Sequence, residues 1–205
     1  MTDNKSKSVS NFQIAIAFCA IRKYFYGDFN DREQIKNADR LSMDLYLPIN
    51  RTLVCSTNID DLCEELIKYY ENILTLAKKY KREIEEYYFW ASPIIIDVDT
   101  NETLICFPFR DVLEEILEFF AILKRKNKII CFESDEDYNL NIELHNGRIF
   151  ITKSDYIDLE KTIYHAINID RDETIKQIDI IAPKLEALIA KLIKRFRFDY
   201  WTKYK

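Results

Sequence analysis

The sequence predicts an α+β fold: a mainly antiparallel sheet built from hairpins, helices packed on one face, and an internal hairpin–helix repeat. Three observations lead there. The segment Asn50-Arg51-Thr52-Leu53-Val54-Cys55 returns as Asn101-Glu102-Thr103-Leu104-Ile105-Cys106 about 50 positions later, and self-similarity at a fixed offset marks repeated architecture. Asn146-Gly147, flanked by hydrophobic runs, is the strongest short-range hairpin signal in the chain. Long stripes of apolar residues spaced by three and four read as helices.

In chain order, residues 1–8 are polar and read as a frayed end. Helix-start signals follow. Ser10 fits an N-cap, Gln13 its capping-box partner, and Val9 and Ile14 the staple positions. Gly27 stands where a left-handed C-cap glycine belongs, so a helix is expected over Asn11 to Tyr26. A strand is the rival, because Phe12, Ile14, Ile16 and Phe18 alternate with smaller or polar residues.

Residues 28–40 are polar, a loop or a short helix. Leu41 to Leu47 reads as a strand closed by Pro48, with Thr52 to Ser56 as its partner. A long helix follows, with Asn58 or Asp60 as N-cap. Its stripe of Leu62, Leu66, Tyr69, Ile73, Ala77, Tyr80, Ile84 and Tyr87 resembles a coiled-coil seam. The second copy predicts a strand (Ile94 to Val98), a turn (Asp99 to Glu102), a strand (Thr103 to Phe107) and a helix (Arg110 to Lys124). A short strand is expected at Ile129 to Phe132, then an acidic segment, then a hairpin of Leu140 to Leu144 and Arg148 to Thr152. Asp155 to Asp172 is charged and mixed. A final helix runs to about Phe198, with Pro183 marking either a kink or a new start. The expected organisation is a single α+β domain over residues 1–205. Its repeat units lie at about 41–90 and 93–125; 129–198 matches them more weakly and reads either as a third, diverged unit or as a hairpin and helix outside the repeat.

Composition excludes several functions. Gly27 and Gly147 are the two glycines, so no glycine-rich phosphate loop can be written. A net charge of −5 disfavours general nucleic-acid binding and suits a basic protein partner. Five scattered cysteines without a C-x-x-C pair read as reduced thiols in the cytoplasm, mostly small core side chains. The run from Phe12 to Ile21 is shorter than the roughly 20 residues a membrane span needs. It lacks a small-residue cleavage site and reads as mature structure.

Few residues offer chemistry. Asp97-x-Asp99-x-Asn101 opens like a calcium loop, yet Glu102 stands where glycine is needed and Pro108 where the bidentate glutamate belongs. A polar hairpin turn explains the same residues. His145 and His165 lack metal-ligand spacing, and no nucleophile elbow accompanies them. Glu133, Asp135, Glu136 and Asp137 form an acidic cluster, read either as a solvated loop or as a docking patch. Tyr87-Tyr88-Phe89-Trp90 is the best candidate for an exposed aromatic anchor, with Tyr87, Tyr88 and Trp90 as partner-binding residues. The C-terminal stretch from Lys191 mixes cations with Phe196, Phe198, Tyr200, Trp201 and Tyr204. It reads as rings packed on the core, or as a stacking surface for single-stranded nucleic acid.

The functional expectation is a non-enzymatic protein-binding protein without cofactor, of the acidic immunity or antitoxin type, that occludes a partner protein. One alternative is a metal-dependent enzyme using Asp97 and Asp99. Another is a self-associating assembly protein using the Leu62 to Tyr87 stripe.

Overall fold

In the computed structural model the segment Phe12–Cys19 is a β-strand, not the expected helix. The structure describes residues 6–19, 23–24, 33, 39–40, 48–50, 53–56, 59–107, 112–125, 129–133, 138–155 and 163–202. The strands are β1 (Lys7–Ser8), β2 (Phe12–Cys19), β3 (Lys23–Tyr24), β4 (Asp39–Arg40), β5 (Pro48–Asn50), β6 (Leu53–Ser56), β7 (Ala91–Asp97), β8 (Glu102–Cys106), β9 (Ile129–Glu133), β10 (Tyr138–His145), β11 (Arg148–Asp155) and β12 (Ile163–Asp170). The helices whose bounds fall among the described residues are α1 (Ile59–Tyr80), α2 (Leu113–Lys124) and α3 (Arg171–Phe196). Two five-stranded sheets result, ordered β1-β12-β11-β10-β9 and β5-β6-β2-β7-β8, and β3 pairs with β4. The class is α+β as expected, with two mostly antiparallel sheets where one was expected.

The reason β2 is a strand lies in its neighbours. It pairs antiparallel with β6 on one side and β7 on the other. Phe12, Ile14, Ile16 and Phe18 enter the main core, while Ala15 and Ala17 form a second cluster with Ile94 and Ile96. A strand buried on both faces reads as an unbroken apolar run, which local helix caps cannot outweigh. Gly27, the supposed C-cap, and the expected strand Leu41 to Leu47 lie outside the described residues.

The first sheet behaves differently. Leu140, Ile142, Ile149, Ile151, Ile167 and Ile169 are buried at alternate positions, and Glu143 faces solvent. The hairpin between β10 and β11 turns on Asn146 (φ 49°) and Gly147 (φ 73°), the two positive dihedrals a tight I′ turn requires. β12 falls in the stretch with no clear sequence pattern, and it pairs with β11.

The matched segments fall on the hairpins β5–β6 and β7–β8, each followed by a helix. Their positions in the sheet are not equivalent. β2 is bordered by the second strand of one hairpin and the first strand of the other.

Residues 6–8, expected to fray, are built into the structure. β1 pairs parallel with β12, and the Val9 amide donates to the Asn168 carbonyl at 3.0 Å. Arg148 donates to the Asn168 side chain (2.5 Å), the Asn168 carbonyl (3.0 Å) and Ser8 Oγ (3.0 Å). The chain therefore leaves the edge of one sheet and enters the centre of the other within a few residues.

α3 ties the sheets together. Asp170 caps its N-terminus by accepting from the Glu173 amide at 2.8 Å. The helix continues through Pro183 and ends on Arg197 in the left-handed conformation. It packs on α1, α2, β2 and β12. Ion pairs of Arg195 with Glu71 and Lys124 with Asp179 flank it, and Arg171 donates to the last-turn carbonyl of Lys124 at 2.9 Å.

The Gln177 amide makes the most specific of these contacts. Its Oε1 accepts from the Ile14 amide at 2.7 Å, and its Nε2 donates to the Phe12 carbonyl at 3.0 Å. The β2 groups on the β7 side belong to the alternate residues, as the Val98–Asn11 and Cys19–Trp90 bonds show. On the other side β6 reaches only to Ile16. Gln177 thus occupies the place of a missing strand. Gln177→Ala is expected to lower stability by about 1–3 kcal/mol, the cost of leaving such groups unsatisfied. Glu186→Ala, on the exposed side of the same helix, should change little. Urea unfolding of both variants is the check, and equal midpoints would remove this role.

Candidate functional site

α1 ends at Tyr80, earlier than its stripe suggests, because Lys81 turns left-handed (φ 53°). The Arg82 amide reaches back to the Ala77 carbonyl at 3.0 Å and the Lys81 amide to that of Lys78 at 3.3 Å, the pairing of a Schellman stop. The chain then leaves the helix axis and forms one 3-10 turn, Glu86–Phe89, before β7. A concavity of about 920 Å³ opens at this corner. Ile84, Tyr87 and Trp90 line it with Tyr200, and Lys78, Arg82, Glu83, Glu85 and Glu86 carry its charges.

The expected aromatic patch divides in two. Tyr88 is 1% exposed and belongs to the core, so it is not an exposed anchor. Tyr87 and Trp90 are half-buried and reach the cleft. Behind them runs a ladder of rings. Tyr80 stacks on Tyr24 (6.3 Å), Tyr24 on Tyr88 (5.6 Å), Tyr88 meets Tyr87 (4.5 Å), and Tyr87 stands nearly perpendicular to Trp90 (6.1 Å, 71°). Asp39 of β4 closes the far end, accepting from the Tyr80 hydroxyl at 2.5 Å and from Lys79 at 3.1 Å.

Tyr200 was not singled out from sequence as part of this surface. Trp201, 2% exposed, carries it there. The Trp201 carbonyl accepts from the Leu113 amide at 2.7 Å, and Asp199 accepts from the Trp201 and Thr202 amides. Tyr200 then lies flat on Phe89 (4.1 Å, 7°). The signal was present in the aromatic-rich C-terminus, but nothing local links it to residues 87–90. Residues 203–205 lie outside the described residues.

Burial raises the Tyr24, Tyr87 and Tyr200 phenols above their ordinary values, and the nearby Glu85 carboxylate adds to this at Tyr24 and Tyr87. The raised values favour the uncharged phenol at all three. The Cys19 thiol, buried at the start of the same region, is pushed up to about 11, which makes it a poor nucleophile.

The other candidates are placed elsewhere. Glu133 ends β9, and Asp135, Glu136 and Asp137 lie outside the described residues. His145 is exposed beside the Asn-Gly turn, and His165 lies in β12. A second concavity, of about 300 Å³, runs between β2 and α3 past the exposed Val98 and Ile180. Among the described residues no group of three His, Cys, Asp or Glu is placed to hold a metal ion. None of the described helices is long and apolar enough to cross a membrane.

Asp97 and Asp99 serve the hairpin turn. Asp97 Oδ1 accepts from the Asp99 and Thr100 amides (3.1 and 3.4 Å), and its Oδ2 pairs with Lys7 at 3.0 Å. Asp99 Oδ1 accepts from Asn11 at 2.6 Å. Lys7, then the two backbone amides, hold the Asp97 carboxyl below its ordinary value. A depressed folded-state value means that the stabilisation is present above about pH 4 and lost as pH falls through that value. Denaturant stability measured from pH 6 to pH 2 should therefore fall more steeply in the parent protein than in Asp97→Asn. Parallel profiles would refute the pairing.

Comparison with protein-family models, with curated proteins and with solved structures finds no match to the chain, so the functional reading rests on the chemistry of the cleft.

Proposed function

We propose that this chain is a non-enzymatic protein-binding protein that occludes a partner in the cytoplasm, in the manner of acidic immunity or antitoxin-type inhibitors. The observation that carries the reading is the cleft at the end of α1. Half-buried Tyr87, Trp90 and Tyr200 line it, and a core of stacked rings braces them from behind. Large, rigid aromatic side chains, partly exposed and held in place, are the usual anchors of protein interfaces. The net charge of −5 adds attraction toward a basic partner. In this reading the twin Asn-x-Thr-Leu segments are duplicated scaffold with no part in binding.

The two alternatives have weaker support. Both carboxylate oxygens of Asp97 are engaged within the protein, which leaves a metal ion little to displace them. Of the stripe read as a self-association seam, Leu62, Leu66, Tyr69, Ile73 and Ala77 are buried in the core, and Tyr80, Ile84 and Tyr87 are half-buried.

The test is to isolate the physiological partner, then measure its affinity for the parent protein and for Trp90→Ala and Tyr87→Ala. Each substitution is expected to weaken binding by about 30-fold or more, the range of an interface hot spot. Affinity should also fall as salt rises. A partner whose affinity ignores both substitutions would sink the proposal.

A further inference from the structure

We infer that the cleft at the end of α1 receives a cationic side chain, an arginine or lysine on a basic segment of the partner protein. The inference rests on the protein-binding reading above and names what that site recognises. Its first support is ring geometry. Tyr87 and Trp90 meet at 6.1 Å and 71°, two walls of a corner in which one cation can lie within about 6 Å of both rings. Tyr200 supplies a third ring lining the same cleft. Tyr87 packs on Tyr88 and Tyr200 lies flat on Phe89, so the walls are held before any ligand arrives.

The second support is charge. Glu83, Glu85 and Glu86 line the cleft and are exposed. Other surface charges of this protein do pair, as Arg195 does with Glu71, Lys124 with Asp179 and Lys7 with Asp97. The three glutamates form no ion pair among the described residues. Lys78 and Arg82 also line the cleft, so the three carboxylates exceed the local cations by one. Burial, with the Glu85 carboxylate adding to it, keeps the Tyr87 phenol neutral. An aromatic corner in a negative field fits a guanidinium or ammonium group and disfavours an acidic peptide.

The experiment is calorimetric titration of the full chain with hexa-arginine, hexa-lysine and hexa-glutamate peptides. Saturable binding of the basic peptides is expected, with hexa-glutamate silent, and the stronger basic peptide identifies the cation. Affinity should drop at least tenfold in Trp90→Ala, less in Trp90→Phe, and at least tenfold in the rim variant E83Q/E85Q/E86Q. The remote variant E114Q/E118Q/E143Q should bind like the parent. Circular dichroism checks the fold of each variant, and Trp90→Phe keeps a ring in place should Trp90→Ala fail to fold. Equal losses in the rim and remote variants, or no saturation, would overturn the inference. If the physiological partner depends on Trp90 but ignores the rim variant, the cation inference falls and the protein-docking reading stands. A partner indifferent to Trp90 removes both.

Discussion

The structure depends on one crossing. Residues 6–9 are the edge of the first sheet, and residues 12–19 are the centre of the second. A strand inside a sheet has polar groups on both flanks that must all be satisfied. Here β7 satisfies one flank along its length, and the other is shared by β6 and a single glutamine side chain. The last arrangement fixes α3 against β2 to within a hydrogen bond. Because α3 begins directly after β12, it also fixes the distance between the sheets. Arg148, Asn168 and the Lys7–Asp97 pair hold the crossing from both sides.

The cleft follows from the same constraint at one remove. α3 packs on α1, and its continuation carries Trp201 into a pocket with Tyr70, Phe89 and Phe196. The Trp201 indole N–H and the Tyr70 hydroxyl are both buried without a well-formed partner. They face each other closely enough for the indole to temper the rise that burial causes in the Tyr70 phenol. Such a pair is costly as hydrogen bonding and favourable as packing, with large rings filling the space. Its effect is to bring Tyr200 to the cleft that Tyr87 and Trp90 also line, so part of the lining comes from the C-terminal end of the described residues.

Sequence reading reached some of this and not the rest, for identifiable reasons. The Asn146-Gly147 hairpin and the α2 and α3 helices were legible because each is specified locally, by turn dihedrals or by an apolar stripe. β2 was misread because the cap-like Ser10, Gln13 and Gly27 outweighed the alternation of Phe12, Ile14, Ile16 and Phe18. β12 was missed although Ile167 and Ile169 alternate, because the polar Asn168 stands between them and the sequence leading into the strand is charged and mixed. The twin segments were real as strings of residues, yet pairing with β2 uses them in different ways. Of the residues that line the cleft, Tyr87 and Trp90 were singled out from sequence. Tyr88 was placed on the wrong side of the surface, and Tyr200 was invisible because tertiary packing alone joins it to the others.

The division between Tyr88 and its neighbours is itself informative. A 3-10 turn points successive side chains about 120° apart, so four aromatic residues in a row do not share one face. Instead Tyr88 and Phe89 are in the core, while Tyr87 and Trp90 stay at the boundary. Exposing part of a large ring forgoes hydrophobic stabilisation of about 25 cal/mol per Å². Scattered partly exposed rings are ordinary in any protein. Three of them converging on one concavity, braced by buried rings and ringed by glutamates that have no ion pair among the described residues, are a different matter. The proposal that the cleft is a recognition surface rests on that convergence.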